Sequence, residues 1–84
     1  IYYGTANPGP WNPDLRPGDN KWTDTVFARR PETGEAVWAY QLSPHDVFDY
    51  DGVNESVLAD LPLGGQRRKV MMRAERNGFF YVMD

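Results

Sequence analysis

Thr25-Val26-Phe27-Ala28-Arg29-Arg30-Pro31-Glu32-Thr33-Gly34-Glu35-Ala36-Val37-Trp38-Ala39-Tyr40-Gln41 is the stretch that decides the fold. Residues 25–29 and 36–41 are rich in β-branched and aromatic side chains, and both read as short strands. Residues 31–35 form the hairpin loop between them, with Gly34 available for the turn. Residues 69–74 and 79–83 repeat the scheme around Glu75-Arg76-Asn77-Gly78, whose Asn-Gly pair is a hairpin signal. The expected class is therefore all-β, two hairpins joined by long loops. Hairpins leave open edges, which a repeat architecture closes by adding neighbours. Ala28, Gly34 and Trp38 fit one such repeat. The alanine and glycine permit close approach, and the tryptophan can dock between adjacent sheets.

Length and composition bound the rest. A chain of 84 residues is at most one small domain, with little core to stabilise it alone. It has no cysteine, so neither a disulfide nor a thiolate metal site is available. A single histidine excludes a multi-histidine zinc site within it. The formal charge of −3 argues against nucleic acid as a partner. The one basic cluster, Gln66-Arg67-Arg68-Lys69, reads as a solvated loop. The longest strictly apolar run, residues 79–83, is too short for a transmembrane segment. No signal peptide is visible. The first residue is Ile1 and the last residues, Val82-Met83-Asp84, read as mid-strand, so a fragment of a longer protein is expected.

The segment before the first hairpin is turn-rich. Residues 1–20 carry four of the seven prolines, which excludes a long helix or central strand. Ile1-Tyr2-Tyr3 reads as the end of a strand. Trp11 is either a plug over a small core or a pocket wall. Between the hairpins, residues 55–61 read as a short strand or irregular segment. Asn54 is also a candidate cap for a short helix, whose length Pro62 and Gly64-Gly65 would limit.

Chemistry concentrates in Ser43-Pro44-His45-Asp46-Val47-Phe48-Asp49-Tyr50-Asp51-Gly52-Val53-Asn54. In an extended segment, Asp49 and Asp51 share a face, about 6.5–7 Å apart. Such a pair suits a hard cation that takes oxygen ligands. Equally, one carboxylate can hold a metal while the other accepts a proton from a substrate. A solvated acidic turn closed by Asp51-Gly52 is the alternative.

Several ordered stretches carry a family resemblance. They are Gly4-Thr5-Ala6-Asn7-Pro8-Gly9-Pro10-Trp11-Asn12, Arg16-Pro17-Gly18-Asp19-Asn20-Lys21-Trp22, Thr33-Gly34-Glu35 with Trp38, the Ser43–Asn54 segment, and Arg76-Asn77-Gly78-Phe79-Phe80-Tyr81. Together they cover nearly the whole chain, which resembles the quinoprotein alcohol dehydrogenases, the methanol and ethanol dehydrogenases that use pyrroloquinoline quinone (PQQ). The resemblance implies an eight-bladed β-propeller with tryptophan-docking motifs, of which residues 1–84 would be about one to two blades.

The resemblance also implies roles. Asn7 matches a metal-ligating asparagine. Asp49 matches the general base, close enough to the metal to count among its ligands. Arg76 matches an arginine that hydrogen-bonds the quinone, and Trp11 a tryptophan lining the substrate cavity. Asp51 matches the additional aspartate of the lanthanide-dependent branch. More anionic oxygen suits a trivalent ion, so a lanthanide is favoured, with calcium as the alternative. His45 and Asp46 are expected to fix the loop that carries Asp49. The family glutamate that completes the metal site, the tryptophan that stacks on the quinone and the adjacent-cysteine disulfide have no match here. Arg30 stands where the repeat motif has aspartate. Asn54-Glu55-Ser56 matches a glycosylation acceptor by chance.

The implied activity is oxidation of a short primary alcohol, methanol favoured, to the aldehyde. A cytochrome c electron acceptor, a periplasmic location and a homodimeric parent go with it. Two other readings stay open: a non-catalytic propeller used for binding or assembly, and a small β domain that binds calcium through Asp46, Asp49 and Asp51.

Overall fold

A computed structural model describes residues 1–84. The order is β1 (Tyr2–Gly4), a 3₁₀ turn (Pro13–Leu15), β2 (Thr25–Arg29), β3 (Ala36–Gln41), β4 (Val57–Leu63), β5 (Gln66–Ala74) and β6 (Phe80–Met83). The chain divides into two compact units, Ile1–Val53 and Asn54–Asp84. Each holds one three-stranded antiparallel sheet, ordered β1-β2-β3 and β4-β5-β6.

In the first unit β2 is the middle strand, and residues 24–28 are all buried. Ala28 faces Tyr2 on one side and Trp38 on the other. Its methyl group leaves room for the two flanking rings to meet, with centroids 6.0 Å apart. The contact passes over β2 and ties the two outer strands of the sheet together. In the next row Tyr3 stacks on Phe27 at 5.5 Å. The Arg29 guanidinium lies 4.8 Å from the Phe27 ring centroid and donates to the Tyr3 hydroxyl. Arg29 also donates to the Gly34 carbonyl at 2.8 Å, so it braces the β2–β3 loop. Arg30, at the motif position expected to hold aspartate, is exposed.

Both β2 and β3 have the bounds read from the sequence, and Ile1-Tyr2-Tyr3 does lead into a strand. In the second unit the strands expected at residues 69–74 and 79–83 appear as parts of β5 and β6, and most of the 55–61 segment, read as a short strand or irregular, lies in β4; the pairing of β4 with β5 goes beyond that expectation. β4 and β5 form a hairpin of their own, paired from Val57↔Met72 to Leu63↔Gln66. Gly64 and Gly65 make its two-residue turn with φ of 58° and 79°. Two successive positive φ values match the right-handed twist of the strands, and glycine adopts them without a Cβ penalty. Gln66-Arg67-Arg68-Lys69 is thus strand rather than loop, although it is exposed. Pro62 is accommodated because β4 lies at one side of its sheet, where a missing N–H is tolerated. Asn54 caps no helix. Its amide donates to the Ala74 carbonyl at 3.2 Å and to Glu75 Oε1 at 3.0 Å. No helix is long and apolar enough to cross a membrane.

The Ala28 row yields a stability prediction. Ala28→Leu in the full-length protein forces a larger side chain between Tyr2 and Trp38, at a cost of about 1–3 kcal/mol. Thermal unfolding is expected to shift to lower temperature, while Ala36→Leu at an exposed position leaves it unchanged. Equal midpoints for the two variants would show that the Tyr2–Trp38 contact does not depend on a small residue.

Candidate functional site

Beyond β1 the chain runs on as Thr5-Ala6-Asn7 beside the start of β2. Thr5 N–H donates to the Thr25 carbonyl at 2.9 Å, and Asp24 N–H to the Ala6 carbonyl at 3.0 Å. The Thr5 hydroxyl donates to the Trp22 carbonyl at 2.7 Å and accepts from Thr25 N–H at 3.1 Å. Four hydrogen bonds thus fix the backbone that presents Asn7.

The acidic loop lies on this segment. Gly52 N–H donates to the Thr5 carbonyl at 2.8 Å. The approach is so close that a Cβ on Gly4 would overlap the Gly52 carbonyl oxygen. A Cβ on Gly52 would stand 2.7 Å from the Thr5 carbonyl oxygen and 2.8 Å from the Asp24 carbonyl carbon. Two glycines are therefore required where the backbones cross. One residue before Gly52, Asp51 Oδ1 accepts the Asn7 N–H at 2.8 Å. Two of the three metal-ligand candidates are in direct contact, across 44 residues of sequence.

Asp49 and Asp51 have φ of 61° and 58°, so the loop is not extended. The same-face spacing expected from strand geometry does not apply. Alternation belongs to β backbone, and each left-handed residue redirects the chain; aspartate tolerates that region better than most residues. Asp46 anchors the loop from within. It is 4% exposed, and its two carboxylate oxygens accept the N–H groups of Phe48 and Tyr50, each at 2.7 Å. The Phe48 and Tyr50 rings stack at 5.1 Å. His45 contacts the Gly18 carbonyl through Nδ1 at 2.7 Å and donates its N–H to the Asp19 carbonyl.

Arg16, which sequence reasoning passed over, ties the turn-rich segment to this loop. It is buried, and its guanidinium donates to the carbonyls of Pro10 at 2.8 Å and Asp46 at 2.7 Å and to Asn20 Oδ1 at 2.7 Å. No local pattern marks it, because each partner is reached only in the folded chain. Trp11 is 66% exposed and covers no core. Arg76 belongs to the second unit, in the turn between β5 and β6. Its N–H donates to Glu75 Oε1 at 3.1 Å. Glu75 in turn pairs with Arg73 at 3.1 Å, with both side chains almost fully buried.

No three acidic or imidazole groups converge. Asp46 spends its carboxylate on backbone N–H groups, so Asp46, Asp49 and Asp51 do not form a calcium cage. The remaining donors are the carboxylates of Asp49 and Asp51 and the amide oxygen of Asn7. These are hard oxygen ligands, suited to a hard cation and incomplete without further donors. The Asn7 amide and the Asp49 carboxylate make no hydrogen bond within the chain, which leaves both available to such an ion. The Arg76 guanidinium is a planar donor fork of the kind that pairs with adjacent anionic oxygens.

Three-stranded antiparallel meanders of this kind are the material from which propeller blades are built. The family described as "PQQ: Glucose/ethanol/alcohol dehydrogenase, beta-propeller domain" matches residues 1–84, and the chain belongs to it. It is 57% identical over 85 residues to the lanthanide-dependent methanol dehydrogenase of Methylacidiphilum fumariolicum (strain SolV). It is 51% identical over 85 residues to methanol dehydrogenase [cytochrome c] subunit 1 of Methylorubrum extorquens. Each match takes in the whole chain but 14% of the relative's length. Among solved structures, a europium-containing methanol dehydrogenase superposes with a TM-score of 0.93 at 56% identity, over 99% of this chain and 15% of that one.

The glycine crossing makes a direct prediction. Gly52→Ala in the full-length protein is expected to destabilise it by about 3 kcal/mol or more, since backbone rather than side chain must move. Gly9→Ala, which meets nothing within 4 Å, is expected to be near neutral. A Gly52→Ala protein with an unchanged melting temperature would mean that the loop is not seated on Thr5.

Proposed function

We propose that the full-length protein is a periplasmic PQQ-dependent dehydrogenase. It oxidises a short primary alcohol, methanol foremost, to the aldehyde. Residues 1–84 supply the base and part of the metal site. The observation that carries this reading is the Asn7 N–H to Asp51 hydrogen bond, with Asp49 two residues away on the same pinned loop. The family match and the relatives named as methanol dehydrogenases support it.

Asn7, Asp49 and Asp51 would hold the metal through side-chain oxygens. The second carboxylate at Asp51 favours a lanthanide over calcium, because a trivalent ion gains more from added negative charge. When bound, the quinone and its metal supply a hydride acceptor polarised by a Lewis acid. Asp49 takes the proton of the alcohol hydroxyl as the hydride leaves the adjacent carbon. Arg76, from the second unit, would hydrogen-bond the quinone oxygens and supply positive charge to them. Trp11 walls the alcohol cavity, and its exposure leaves its ring free to meet a substrate. A cytochrome c serves as electron acceptor, in keeping with the name of the Methylorubrum relative, and the parent is a homodimer.

The deciding experiment uses the full-length protein purified without metal. PQQ is added with lanthanum or with calcium, and methanol oxidation is followed through an artificial electron acceptor. Activity with lanthanum alone supports Asp51 as a ligand. Equal or better activity with calcium removes the lanthanide assignment and leaves the dehydrogenase. No activity with either metal points to a non-catalytic propeller. Asp49→Asn keeps the size of the side chain and loses its basicity, so kcat is expected to fall by about 10²–10⁴-fold. An unchanged kcat would remove Asp49 as the base.

A further inference from the structure

We propose that Asp46, clamped by Arg16, is the positioning residue that holds Asp49 and Asp51 in working orientation. The inference rests on the reading of those two aspartates as base and metal ligands. Asp46 is 4% exposed and contacts neither of them through its side chain; both of its carboxylate oxygens are committed to the N–H groups of Phe48 and Tyr50. Bonds from backbone N–H to an ionised carboxylate, each here 2.7 Å, are short and strong. The Tyr50 N–H belongs to the peptide that begins at Asp49. Fixing that peptide restrains ψ of Asp49, while the Phe48 bond fixes the Val47–Phe48 peptide, so the Phe48–Asp49 peptide is spanned by an anchor on either side. Asp49 is thereby held at a positive φ that an L residue rarely keeps unaided.

The clamp has a second half. Arg16 donates to the main-chain carbonyl of Asp46 rather than to its carboxylate, so both oxygens remain for the loop. Arg16 is itself held by the Pro10 carbonyl and Asn20 Oδ1. Past Asp51, the Gly52 bond to Thr5 and the Asn7 bond to Asp51 secure the far end of the loop. Asp49 lies between two anchored ends, and the Asp46 carboxylate supplies hydrogen bonds from inside the loop. Groups that orient ligands without touching the ion typically change metal affinity or activity by about 10–100-fold.

The test uses the full-length protein reconstituted with PQQ and europium. Asp46→Asn retains one acceptor oxygen and turns an NH₂ group against a backbone N–H. Europium binding is expected to weaken by about 10-fold or more and kcat to fall by about 10–100-fold, with KM for methanol little changed. The europium emission lifetime is expected to shorten as water enters a loosened site. Arg16→Lys, which spares the carboxylate, should move each quantity the same way by less. Val70→Ala, a buried change in β5, should lower the melting temperature and leave europium affinity alone. Wild-type europium affinity, lifetime and kcat in Asp46→Asn, even with a lower melting temperature, would overturn the proposal and leave Asp46 a merely structural residue. If Asp46→Asn does not fold, Arg16→Lys carries the same measurement, and its indifference would overturn the proposal equally. A wild-type protein that binds no europium would instead remove the proposed function, and this inference with it.

Discussion

The first unit depends on one backbone crossing. Gly4 and Gly52 meet with no side chain between them, and the Gly52 N–H closes on the Thr5 carbonyl. Everything of chemical interest in that unit hangs from this point. Asn7 lies three residues after Gly4, and Asp51 immediately before Gly52. The crossing therefore brings an amide and a carboxylate together from ends of the unit that are 44 residues apart.

Around that crossing, strain and its compensation are local. Asp24, His45, Asp49 and Asp51 all have positive φ, a region L residues avoid. The surrounding structure over-determines each of them. Asp24 is fully buried with its N–H and carbonyl both hydrogen-bonded, to Ala6 and Leu42. His45 is held on Gly18 and Asp19. The two later aspartates are framed by Asp46 on one side and Thr5 on the other. Two such aspartates, Asp49 and Asp51, fall in one loop, and over-determined backbone outliers of this kind cluster at functional sites.

The second unit uses a different device. Arg73 and Glu75 form a buried ion pair, and Glu75 Oε1 also takes the Asn54 amide and the Arg76 N–H. Removing one member of such a pair leaves a charge without its partner and costs about 3–5 kcal/mol. The pair thus fixes the turn from which Arg76 projects. By contrast, the exposed Arg68–Asp84 pair contributes little, since water screens it.

Local chemistry made much of this legible in the sequence. The β-branched and aromatic runs at 25–29 and 36–41 marked two strands by side-chain type alone. The residues that carry the family resemblance are contiguous short stretches, so Asn7, Asp49, Asp51 and Arg76 could be singled out without coordinates. Where two local signals competed, the sequence misled. Pro62 and Gly64-Gly65 read as limits on a short helix and the charged run 66–69 as a solvated loop, whereas Gly64-Gly65 is the two-residue turn of the hairpin that forms. Pairing along seven rows outweighed one proline and four polar residues. Tertiary structure alone decided that Asp49 and Asp51 lie in left-handed loop backbone, that Asp51 meets Asn7, and that Arg16 reaches Asp46. Each of those joins residues far apart in the chain or sets a dihedral through a distant anchor. Propensity acts over a few residues, and such contacts exist only once the backbone has crossed itself at Gly4 and Gly52.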